Sequence, residues 1–158
     1  MPKRPDSRKQ RLPANEVVRY VLEISDWDWN FSFGVNSSKH DADPHWDFRH
    51  LQISGLLVRP RKLGAESAEL SFLPNSKLNE KHRQSDRPSM VGFFQLHKKR
   101  LTGIISMPSD VLGPVLQMLV GSRFRYIELS GDKLRYGKAN LRSYRFETII
   151  SDNDMPDE

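Results

Sequence analysis

The chain has 158 residues, with 25 Lys plus Arg against 20 Asp plus Glu and a formal net charge of +5. It has no cysteine, which excludes a disulfide framework, cysteine-bound zinc and thiol nucleophiles. Gly and Pro are at ordinary usage, and the length suits one domain able to bury a real core.

Residues 1–13 carry a net +4 and residues 151–158 a net −4, leaving +5 between them. Neither end has apolar periodicity, so neither recovers the entropy lost on ordering. They are expected to be disordered basic and acidic tails flanking one β-rich domain over 14–150. The basic start has no apolar core or small-residue cleavage site behind it. The most apolar stretch, 107–120, is interrupted by Pro108, Asp110, Gly113 and Pro114 and is too short to span a bilayer. No membrane association and a cytoplasmic location are therefore expected.

In chain order, Val18, Tyr20, Leu22 and Ile24 set a two-residue period, and Trp27, Trp29, Phe31, Phe33 and Val35 set a second one. The change of phase predicts a turn at Ser25–Trp27. Over 46–58, Trp46 and Phe48 lie in one phase and Leu51, Ile53 and Leu57 in the other, which predicts a bulge near Arg49–His50. A strand follows over 66–73. Pro74–Pro88 then holds one apolar side chain, Leu78, a loop long enough to carry function.

Residues 90–96 and 101–106 read as a hairpin around His97–Arg100. The one helix, about 109–121, is expected to be capped by Ser109 or Asp110 and ended by Gly121. Its apolar face is Val111, Leu112, Val115, Leu116, Leu119 and Val120. Strands over 123–129, 133–138 and 139–150 complete the set, with a turn at Ser130–Asp132. Eight to nine strands joined mostly by short turns predict a mainly β fold. It is expected to be an antiparallel sandwich or a partly open barrel, with the helix closing one end or covering an edge.

Three constellations bear on function. His40–His50 holds three histidines and three aspartates; of these, His45, Asp47 and His50 are the candidate metal ligands. On an extended strand His45 and Asp47 share a face and His50 points the other way, so a solvated loop entering a strand is preferred. The aromatic stripe Trp27, Trp29, Phe31 and Phe33 suits either a stacking platform or the buried face of a sheet; the core reading is preferred, with Trp27 the member nearest solvent. Basic residues gather in turns and on late strands: Arg59, Arg61 and Lys62; Lys98, Lys99 and Arg100; and Arg123, Arg125 and Arg135. They suit an acidic protein surface or phosphates.

No phosphate loop, nucleophile elbow or helical His pair is present, and no cofactor is expected. The composite expectation is a non-enzymatic binding module acting on a protein partner as inhibitor, regulator or adaptor, through the basic turns and the Pro74–Pro88 loop. A nucleic-acid binder and a metal-dependent enzyme with a His/Asp site are the alternatives. Oligomeric state is left open.

Overall fold

The computed structural model describes residues 16–82 and 88–156. Seven strands form one closed barrel: β1 (Val18–Val35), β2 (His45–Arg59), β3 (Ser67–Asn75), β4 (Gly92–His97), β5 (Arg100–Pro108), β6 (Tyr126–Gly131) and β7 (Lys138–Glu147). Their order around the barrel is β1-β2-β3-β5-β4-β7-β6, with β6 closing onto β1. The mainly β expectation holds, and the architecture is a barrel with no free seam. All neighbours are antiparallel except β3 and β5. The segment after β3 carries the chain past one position to β4, and β5 returns into the gap alongside β3.

Two expected strands are one. No turn exists at Ser25–Trp27. β1 runs through, and its register with β2 slips between Ile24 and Asp26. A bulge reverses which side chains face inward, so Tyr20 and Leu22 point into the core before it and Trp27 and Trp29 pack against the core after it. Gly55 lies opposite this bulge, where a Cβ would collide with the Glu23 carbonyl oxygen. The bulge expected near Arg49–His50 is absent, because the pairing runs unbroken from Asp26↔Ser54 to Val35↔His45. Residues 133–137, most of the strand expected over 133–138, form no strand. Tyr136 and Gly137, both at positive φ, turn the chain between Arg135 and Lys138.

The interior is filled by apolar side chains. Leu22, Leu51, Ile53, Leu70, Phe72, Phe94, Leu101, Ile105, Met107, Ile127, Leu129 and Leu141 are fully buried. Helix α1 (Leu112–Val120) joins β5 to β6 and adds Leu112 and Leu119 to this core, while Val111 and Val120 of the expected apolar face stay exposed. Neither Ser109 nor Asp110 caps it with a side chain. Instead Asn79 Oδ1 accepts from both the Ser109 hydroxyl (3.0 Å) and the Asp110 amide (3.1 Å), pinning the start of the long loop there. Residues 83–87 of that loop, and the basic tail 1–13, lie outside the described residues. At the other end, Asp152–Asp154 forms a single 3-10 turn.

Candidate functional site: an aromatic arm opposite a basic end

β1 and β2 are far longer than the barrel needs. β1 pairs with β6 only over Val18–Glu23, and β2 pairs with β3 only over Leu51–Gly55. The remainder, residues 26–50, continues outward as a two-stranded arm. Strand alternation and the observed register divide its side chains between two faces. Trp27, Trp29, Phe31, Phe33 and Val35 share one face with His45, Asp47 and Arg49. Trp46, Phe48 and His50 share the other with Asp28, Asn30 and Ser32.

The stripe is therefore not a buried sheet face. Trp27 and Trp29 are half-buried against the core at the root, but Phe31 is 57% exposed and Phe33 62%, with Trp46 at 46% and Phe48 at 50% on the opposite face. Alternation reports which side chains share a face; it does not say that the face is covered. The most exposed rings lie toward the tip, not at Trp27. The ring of Trp46 occupies the space above Gly34 that a side chain would fill. His45 stacks on Phe33 (centroids 5.7 Å, planes 15° apart), and the Arg49 guanidinium lies 6.0 Å from the Phe31 centroid. Arg49 also donates to Asp47 Oδ2 at 3.0 Å.

The three candidate ligands are not brought together. His45 and Asp47 share a face but are engaged with Phe33 and Arg49, and His50 sits beside Phe48 on the other face. Among the described residues no group of three or more His, Asp or Glu is placed to hold a metal ion.

The edges of the arm matter as much as its faces. The Asn36 amide donates to the Pro44 carbonyl (2.9 Å), so this is a hydrogen-bonded pair. Antiparallel alternation then turns the even-numbered β1 amides toward β2 and the odd-numbered ones outward. The outward amides at the root are capped: Trp27 and Trp29 donate to the carboxylates of Asp26 and Asp28, each at 2.9 Å. On the β2 edge, His45 donates to Asp43 at 3.2 Å. Phe31, Phe33 and Val35 have no such cap among the described residues.

The nine basic residues singled out above separate into two groups. Arg59, Arg61, Lys62, Lys98, Lys99, Arg100 and Arg135 gather at the barrel end opposite the arm, where β2, β4 and β6 finish and β3, β5 and β7 begin. Arg123 and Arg125 lie at the arm end, just before β6. Some of the basic charge is answered: Lys99 pairs with Glu66 and Arg100 with Glu69. A cleft of about 410 Å³ opens at the basic end, lined by Arg19, Tyr20, Lys62, Leu63, Lys133 and Leu134 among others. The arm has the opposite sign, with five aspartates against Lys39 and Arg49 over residues 26–50.

Glu128 alternates with the core residues Ile127 and Leu129 and so faces away from the barrel interior, yet it is buried, at 6% exposure. Burial pushes its carboxyl up, but hydrogen bonds and charge from Arg19 and Arg145 outweigh this and hold it below the ordinary value. Arg19 donates at 2.5 Å and Arg145 at 3.1 Å, clamping the β1–β6–β7 seam. No sequence signal marks that pairing, because its partners lie far apart in the chain.

Comparison with protein-family models, curated proteins and solved structures returns no match. Among the described residues no helix is long and apolar enough to cross a membrane.

Proposed function

We propose that this chain is a non-enzymatic binding module that acts on a protein partner as an inhibitor, regulator or adaptor, and that the arm makes the contact. The carrying observation is the set of four rings, Phe31, Phe33, Trp46 and Phe48, held in water on a folded hairpin. Exposed large apolar groups on a rigid extension are costly unless something covers them, and aromatic side chains are the usual anchors of protein interfaces. The aspartates around the rings favour a partner whose apolar surface is rimmed by Lys or Arg. This reading moves the contact from the basic turns to the opposite end of the molecule. A cytoplasmic setting belongs to it.

A second reading rests on the basic end. Seven collected cations beside a cleft suit phosphates, and would make the chain a nucleic-acid binder. One experiment separates the two. Partner capture is compared for the wild type, for F31S/F48S, and for a charge reversal at Arg59, Arg61, Lys98 and Lys99, with and without nuclease. The arm reading expects F31S/F48S to lose the partner and the charge reversal to keep it, regardless of nuclease. Loss confined to the charge reversal, abolished by nuclease, would replace it with the nucleic-acid reading.

A further inference from the structure

The three uncapped outward amides of β1 form a self-complementary set. Phe31, Phe33 and Val35 are evenly spaced about Phe33, on the stretch Trp29–Asn36, which contains no charged residue. Uncharged, ring-rich edge strands with open amides template strand pairing, and proteins ordinarily blunt them with charge. Here the blunting stops at Asp28.

We infer that two copies of this chain pair edge to edge through β1, antiparallel about a two-fold axis at Phe33. Phe33 of one copy lies opposite Phe33 of the other, and Phe31 opposite Val35. This register uses every uncapped outward amide of the β1 arm and none that an aspartate already holds. It closes on itself, as an isologous contact must.

A second feature favours a copy of the same chain over another strand. In this register Ser37 of one copy falls opposite Trp29 of the other. The Ser37–Pro44 turn, carrying Asp41 and Asp43 against Lys39, then projects along the β6 side of the arm's root. A cleft of about 310 Å³ opens there, lined by Ile24, Ser25, Trp27, Leu119 and Phe124, with Arg125 on its wall and Arg123 beside it in the chain. Neither arginine has an acidic partner among the described residues. Asp26 lines the same cleft, with its carboxylate held by the Trp27 amide. Pairing leaves both faces of each arm open, so the dimer is a four-stranded aromatic platform. The inference uses the arm's edge and stands whether or not its faces hold a partner protein.

The test is sedimentation over a wide concentration range on the wild type, F33P and R123E/R125E, together with disulfide trapping of F33C in this cysteine-free chain. Proline at 33 removes the central outward amide without touching a bond to β2. The wild type should be dimeric, F33P monomeric with an unchanged barrel melting transition, and R123E/R125E weakened at least tenfold. Oxidised F33C should form a covalent dimer while N30C, which this register sets opposite Asn36 of the other copy and far from its own counterpart, should not. A wild type that stays monomeric throughout overturns the inference. So does a dimer that F33P leaves intact, or one that F33C fails to trap.

Discussion

The ring of Trp46 rests over Gly34 on the neighbouring strand of the arm, in the space a β-carbon would need. The two residues form a cross-strand pair, and only glycine lets the indole lie down against the backbone. Valine at 34 should lift Trp46 into solvent. The expected outcome is a red-shifted tryptophan emission with a melting temperature close to wild type, because the arm lies beyond the barrel core.

Glu128 links stability to pH. Its folded carboxyl sits below the ordinary value, so its contribution is complete above the unfolded value of about 4.5 and is lost as pH falls through the folded one. Glu128→Gln should flatten the acid limb of the stability–pH curve and cost about 2 kcal/mol at neutral pH, since charge-assisted bonds to two arginines are lost. Urea unfolding across the acid range measures both.

Tyr20 and Tyr144 act at the other extreme. Burial pushes each phenol up to about 12. A neutral buried phenol stabilises the fold fully below the unfolded value of about 10 and progressively less as pH rises toward 12. Alkaline unfolding should therefore begin in that window, and Y20F should delay it. At neutral pH Y20F should cost only about 1 kcal/mol, for the bond to the Asp132 carbonyl. Phe94→Ala, removing the ring packed edge-on to Tyr20 at 4.7 Å, should cost about 3–5 kcal/mol. Thermal and denaturant melts rank the two.

Tyr136 turns the chain at φ 51°, followed by Gly137 at φ 75°. Left-handed backbone at both central positions favours Asn-Gly. Tyr136→Asn should raise stability by about 0.5–1 kcal/mol, read as a higher denaturation midpoint, because the ring is fully exposed and gives up no packing.

The fold class was legible because period two survives wherever one face is buried: Leu51 and Ile53, or Leu101, Ile105 and Met107, mark their strands plainly. Closure was not, because it depends on β3 lying beside β5, a pairing that local pattern does not encode. The bulge at Ser25 reads in one dimension like a turn, since both reverse side-chain phase. The candidate site was half legible. The ring stripe was identified as a candidate surface, but its exposure depends on where β3 and β6 stop pairing, and that is set by their own lengths. The basic residues were found individually, yet only the topology assembles seven of them at one end and sends Arg123 and Arg125 to the other.

Calorimetric titration of the captured partner protein into the wild type and F31A reads how much of the contact the arm supplies. The dissociation constant should be at least tenfold weaker for F31A, as for an aromatic anchor worth about 1.4 kcal/mol or more. An unchanged constant, with the variant folded, would show that the partner is held elsewhere.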